Sequence, residues 1–457
     1  MSKTTHCLLE VTATVPEAFA TFGAALASET ETERQATDLI GELAGYGIEI
    51  TEESAPIPMF ETTDEPDLPM FEGFAATTMA PDQASKSMVV PVEVSRERIE
   101  ELSTRSGWTV WPSSELTIFD TDSLDPRVLS PSSGGVDCRP FRPAVEMDVL
   151  RKLLGVEHLW SRGFTGQNTV VGIVDDGIDG SVYPVIGGFA RPGSARRPGT
   201  APISSHGSMC AADVLVAAPR ARHYDYPFLG IPRSGGALTM FQAALEERRR
   251  IGVPHILSNS YGFVSVPSQQ AWPKHEIWDI DHPLHRKVRE VVASGAPCFF
   301  AAGNCGTNCP SGDCHTSGIG PGKSIHASNS LENVITVAAV NSQHERIGYS
   351  SQGPGMFARE KPDLAAYSHF FGNFGPGRPA GGDHESFDNG TSAATPVAAG
   401  VGALLASAVP DLSPAQMKQA LMDSAIQVGT ALSWDPDYGV GVINAAGAYA
   451  TLVRANA

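Results

Sequence analysis

Two regimes of hydrophobic and polar spacing divide this 457-residue chain. Up to about residue 112, short apolar runs alternate with strongly polar ones. Thr5–Thr12 reads as a strand, and Glu33–Leu43 sets Ala36, Leu39, Ile40 and Leu43 near helical spacing. Gly47–Thr51 alternates as a strand should. Ala55–Ala84, rich in Pro, Asp and Glu around Met59, Phe60, Met70, Phe71 and Phe74, reads as a long loop. Ser87–Val94 is a second clear strand. Ser95 can cap a helix over Arg96–Arg105 with Ile99 and Leu102 inward; Gly107 stops it, and Trp108–Trp111 resumes as a strand. The order is β-α-β-β-α-β, the ferredoxin-like arrangement.

Residues 112–144 are rich in Ser, Pro, Asp and Gly and read as an exposed linker. A larger body begins near Val145 with a helix over Met147–Leu154. Its runs Val170–Val174, His255–Ser258, Cys298–Ala302 and Val334–Val340 are continuously apolar, as strands covered on both faces are. Helices are expected between them at Ser208–Val216, Thr239–Arg250 and His285–Ser294. The alternation predicts an α/β, doubly wound, mainly parallel sheet. The later helix at Ser413-Pro414-Ala415-Gln416 opens with a capping box. The division is therefore 1–120, an α+β module; 121–144, a linker; and 145–457, the larger domain.

Charge sharpens that division. Residues 1–120 hold 22 Asp and Glu against 6 Lys and Arg, whereas the rest carries only about −3 of the total −19. An acidic surface argues against nucleic acid and anionic membranes as partners. No run is long and apolar enough to span a bilayer, and Glu10 interrupts the only candidate signal segment. Seven cysteines, an odd number, do not read as a disulfide framework, so a cytoplasmic setting is expected.

Chemistry concentrates at four sites. Asp388-Asn389-Gly390-Thr391-Ser392 leads through Pro396 into small apolar residues, a tight turn opening a buried helix whose N-terminus suits an oxyanion. Ser392 needs a base to become a nucleophile. Asp175 ends the strand Val170–Val174, His206 precedes a helix of small residues, and Asn304 follows the buried strand at Phe299–Ala302. Each has an ordinary alternative: a helix cap, a turn acid, a polar His, a loop Asn.

Together, in the order Asp, His, Asn, Ser, these segments resemble the subtilisin-like serine peptidases, over about Val145–Ala450. The resemblance implies Asp175, His206 and Ser392 as a catalytic triad, with Asn304 in the oxyanion hole. It implies that Ser258, Asn259, Ser260, Tyr261 and Gly262 form a substrate-binding edge, and that Trp434–Gly441 closes the domain. It implies serine endopeptidase activity on a polypeptide or peptide-precursor substrate. Residues 1–120 would be a prodomain, an intramolecular chaperone and inhibitor, with a tail somewhere in Pro112–Arg142 lying in the cleft and cut by Ser392. Here His-Gly-Ser replaces the usual His-Gly-Thr. Asp176 stands where Ser or Thr is commoner; it is either a turn residue or, as in kexin-like subfamilies, an acid favouring a basic substrate residue. The sedolisin-type alternative would need a Glu in place of His206 and an acid in place of Asn304. A catalytically silent peptide-binding protein is the alternative from another class.

The cysteine loop leaves two readings open. Cys305, Cys309, Cys314 and His315 could hold zinc tetrahedrally, or the cysteines could be free thiols or one disulfide. The chemistry itself needs no cofactor, and no run of calcium ligands stands out.

Overall fold

The computed structural model describes residues 4–12, 24–46, 48, 55–60, 87–119, 145–190, 196–228, 230–372, 388–428 and 433–455. The expected linker 121–144 and most of the strand expected at Gly47–Thr51 lie outside them.

The acidic module runs β1 (Thr4–Thr12), α1 (Ala24–Gly45), β2 (Ile57–Met59), β3 (Ser87–Ser95), α2 (Arg96–Ser103) and β4 (Trp108–Pro112). Its antiparallel sheet has the order β2-β3-β1-β4. Strand periodicity sorts its side chains into two layers. Cys7, Leu9, Val90 and Val92 pack under Leu39 and Leu43 of α1. Leu8, Val89, Ile57, Met59 and Trp111 face the other way, into the core of the larger body. The edge strand β2 falls inside the stretch expected to be a loop. Pro56 and Pro58 mask its extended character in the sequence, and an edge strand tolerates them.

The short β5 (Thr117–Ile118) and β6 (Val145–Glu146) precede the main body. There follow α3 (Met147–Leu154), α4 (Glu157–Trp160), β7 (Val170–Asp175), β8 (Val185–Gly188), α5 (His206–Ala217), β9 (Arg222–Pro227), α6 (Ser234–Ile251), β10 (Ile256–Asn259) and β11 (Tyr261–Gly262). The chain continues through α7 (Pro283–Ala293), β12 (Cys298–Ala301), β13 (Ile335–Val340), β14 (Leu364–Tyr367), β15 (Phe370–Phe371), α8 (Gly390–Ala408), α9 (Pro414–Asp423) and α10 (Ala445–Ala455).

Seven strands form one parallel sheet in the order β14-β13-β12-β10-β7-β9-β8. α5 and α8 pack against each other in the core on one face; α6 and α7 share the core on the other. This is the doubly wound α/β architecture, and the chain reverses its direction across the sheet between β7 and β10. Ligands in such sheets bind beyond the carboxyl ends of strands at that reversal. β9 escapes a hydropathy reading because Arg-His-Tyr-Asp-Tyr-Pro looks polar, yet all of it after Arg222 is buried. Contrary to the expectation that no run is long and apolar enough, α8 could cross a membrane by length and composition, but 83% of its most apolar window is buried inside the protein, as in a core helix.

Candidate active site

Three of the four side chains are set by element termini. Asp175 is the last residue of β7. His206 is the first of α5, where Ser205 caps the helix by accepting the N–H of Ser208 at 3.2 Å. Ser392 sits in the first turn of α8, after Gly390 at φ +78°, a left-handed conformation that glycine adopts without strain. Asn304 lies just beyond β12.

The imidazole Nδ1 of His206 stands 2.9 and 3.0 Å from the two carboxylate oxygens of Asp175. Both side chains are buried. Burial alone would lower the imidazole pKa; the facing Asp175 carboxylate overrides it and holds the value well above the usual 6.5. Cys210, one turn along α5, places Sγ 3.8 Å from His206 Nδ1 and 3.6 Å from the Ser392 carbonyl oxygen. Burial pushes its thiol up to about 11, so it is uncharged near neutrality and fills the space behind the imidazole. Nε2 of His206 is buried and has no hydrogen-bond partner among the described residues.

The Asn304 amide is oriented from behind. Its Oδ1 accepts both the N–H and the hydroxyl of Thr391, each at 2.9 Å. That leaves Nδ2 to donate, at 3.0 Å, to the carbonyl oxygen of Phe119. The Ser392 hydroxyl donates to the same oxygen at 2.6 Å. A backbone carbonyl of the chain itself thus sits between the serine and the amide.

The segment carrying that carbonyl lies along the cleft as an added strand. The Phe119 N–H donates to Ser260 O at 3.0 Å, and Ile118 and Thr117 pair antiparallel with Tyr261 and Gly262. On its other side, Leu116 N–H donates to Pro232 O at 2.9 Å. Strand addition of this kind is a general way to bind an extended peptide. The Phe119 side chain is buried against Gly262, where an added Cβ would stand 2.6 Å from the ring.

Of the expected edge residues, Ser260, Tyr261 and Gly262 therefore meet the cleft strand. Ser258 and Asn259 belong to β10 inside the main sheet, where the Asn259 amide donates to Phe299 O. Asp176 lies in the turn after β7, where its carboxylate accepts the N–H groups of His206 at 3.1 Å and Gly207 at 2.8 Å and so holds the start of α5. Burial and the neighbouring Asp175 raise its pKa despite those two bonds.

The zinc set is corrected. Cys305 and Cys314 form a disulfide, and Cys309 is also disulfide-bonded, so none offers the thiolate zinc requires. His315 Nδ1 instead pairs with the Ser317 hydroxyl at 2.9 Å. What sequence reasoning missed is Phe119. The run Leu116-Thr117-Ile118-Phe119, apolar within a polar stretch, was the available signal.

Residues 166–441 match the model of the subtilase family, Peptidase_S8. Subtilisin DY of Bacillus licheniformis is 29% identical over 64% of this chain and 94% of its own length. Subtilisin E of Bacillus subtilis (strain 168) is 30% identical over 63% of this chain and 67% of its own. A crystal structure of MycP1 with the N-terminal propeptide removed is 21% identical, with a TM-score of 0.48, over 66% of this chain and 96% of that one. With more than half of its length matched, the chain belongs to the subtilase family of serine endopeptidases.

Proposed function

We propose that this peptidase is made as a zymogen whose first substrate is its own Phe119–Asp120 bond. Ser392 is the nucleophile, His206 the general base and then acid, Asp175 the group that orients and stabilises the imidazolium, and Asn304 a donor to the oxyanion. In the first step the Ser392 proton passes to Nε2 of His206 as Oγ bonds to the Phe119 carbonyl carbon. The C–N bond to Asp120 then breaks, and the leaving amine takes the proton back. Water, deprotonated by the same imidazole, releases the acyl group. In the structure the Ser392 hydroxyl donates to Phe119 O and Nε2 of His206 is without a partner among the described residues, so the step requires the hydroxyl to turn from that oxygen to Nε2.

The observation that carries the reading is the Phe119 carbonyl oxygen held between Ser392 Oγ and Asn304 Nδ2. In support, the acidic module is bound by more than its tail. Arg286 pairs with Glu10, Lys287 Nζ donates to Pro58 O at 2.7 Å, and the Phe60 N–H donates to Glu290 at 2.9 Å. Such contacts outlast cleavage, so the module remains as a noncovalent inhibitor until it dissociates. The mature enzyme then cuts other polypeptides, with a processing role on a peptide precursor.

The test compares intact masses and new N-termini of the wild type and Ser392→Ala. The wild type should yield a fragment beginning at Asp120, and Ser392→Ala should stay whole. A wild type that stays whole, or a cut elsewhere that persists in Ser392→Ala, overturns self-cleavage. A fluorophosphonate probe that fails to label Ser392 would favour the silent peptide binder instead.

A further inference from the structure

The cleft strand is gripped well beyond Phe119. Counting back from the carbonyl at Ser392, the fifth residue is Glu115 and the sixth is Ser114. Arg233 Nη2 lies 2.6 Å from the Glu115 carboxylate, with the Arg233 side chain mostly covered and Glu115 mostly exposed. Backbone bonding continues here too, as Ser234 N–H donates to Ser114 O at 3.0 Å. Glu276 is fully buried and aims its carboxylate at Ser114. It accepts the Ser114 N–H at 3.0 Å and the Ser114 hydroxyl at 2.9 Å. Burial raises the Glu276 pKa, but His282 and His275 nearby, with donors from Ser234 and Ser114, outweigh it and keep the acid ionised.

We infer that Arg233 and Glu276 are two remote specificity determinants for substrates in general. Arg233 selects an acidic side chain five residues before the cut bond. Glu276 selects an unsubstituted N–H, with a small hydroxyl beside it, six residues before. The preferred substrate is an extended segment of the form Ser/Thr-Glu/Asp-x-x-x-Phe, cut after Phe. This rests on the self-cleaving endopeptidase reading above. Arg233 and Glu276 belong to the body that remains after the acidic module leaves, so both side chains are in place to meet the next segment that takes the positions of Glu115 and Ser114.

Two arms test it. In the full chain, Glu115→Lys should slow self-cleavage about fivefold, and adding Arg233→Glu should restore it, since opposite charges again face each other. In trans, the mature enzyme, counted by fluorophosphonate labelling, is given the peptide Ser-Ser-Glu-Leu-Thr-Ile-Phe-Asp-Thr-Asp. A copy with Lys at the Glu position should lose about fivefold in kcat/KM, and Arg233→Glu should reverse that order. A copy N-methylated at the second Ser should lose about tenfold. Equal rates for all peptides with an active enzyme overturn the determinants and leave the peptidase standing. A wild type that cuts neither itself nor any peptide overturns the peptidase reading and the determinants with it.

Discussion

The hydroxyl of Ser392 donates a 2.6 Å hydrogen bond to the carbonyl oxygen of Phe119, a residue 273 positions earlier in the chain. This contact joins the two compositional halves of the protein at one atom. It also sets the register of everything upstream, because strand addition to Ser260–Gly262 and Pro232 fixes which side chain meets which part of the cleft. With the Phe119 ring seated on Gly262, the pocket has no room for a larger floor. Gly262→Ala should therefore slow self-cleavage about tenfold or more, the range expected when a packed site is overfilled. Phe119→Ala in the same chain should recover part of the loss. Gel densitometry of the uncut chain over time measures both, and a Gly262→Ala rate equal to wild type would contradict the assignment of this pocket.

Asn304 has two separable duties. Its Oδ1 braces Thr391 and its Nδ2 faces the Phe119 oxygen. Asn304→Asp keeps the acceptor for Thr391 and replaces the donor with a negative charge, whereas Asn304→Ala removes both. Each should lower the cleavage rate about 10²–10³-fold, the loss familiar from the oxyanion donor of subtilisin itself. Asn304→Asp should retain more of the wild-type thermal stability than Asn304→Ala. Loss of activity only in step with loss of stability would assign Asn304 a packing role.

The pH dependence has a definite sign. The Asp175 carboxylate holds the His206 pKa above 6.5, so the neutral base is populated only above that raised value. The first-order rate of self-cleavage should climb with pH through a midpoint above 6.5. Asp175→Asn should move the midpoint down and lower the plateau. A wild-type midpoint at or below 6.5 would contradict the pairing of these two side chains.

The disulfide between Cys305 and Cys314 closes a loop with a sequence separation of 9 directly after Asn304. Removing both with Cys305→Ser and Cys314→Ser should cost about 2–3 kcal/mol, from the added freedom of the unfolded loop. Chemical denaturation of the Ser392→Ala background measures it without interference from cleavage. A denaturation midpoint unchanged by the double substitution would show that the bridge constrains nothing.

His223 offers a test of the core. It is wholly buried on β9, and burial lowers its pKa to about 4. Between that value and the unfolded value of 6.5, the unfolded chain binds the extra proton. Folding stability is therefore full above 6.5 and falls as pH drops toward 4, by about 3 kcal/mol from this group alone. His223→Leu should flatten the pH dependence of the unfolding free energy in that window. An unchanged slope would show that His223 is not the responsible group.

Local order in the chain was enough to determine much of this protein. Period-two and continuous apolar runs specify strands, so β1, β3, β7, β10, β12 and β13 were legible, as was the capping box at Ser413 and Gln416. The four candidate residues each had an ordinary reading alone, and only their order and the resemblance to the subtilases set them apart in the sequence; the structure brings Asp175 to His206, and Asn304 and Ser392 to one carbonyl oxygen. What local order could not decide were the partnerships. Polar-looking β9 became core because β7 and β8 pair with its two edges while Tyr224 and Tyr226 pack into the core on one face of the sheet. The thiols of Cys305 and Cys314 became a bridge because the loop brings them to a Cα separation of 5.6 Å. Asp176 became a brace for α5 because two backbone N–H groups converge on it. Above all, the seat of Phe119 was decided by folding alone. Spacing along a strand is a property of neighbours in the chain, whereas a carbonyl meeting a serine 273 residues away depends on where two whole layers pack.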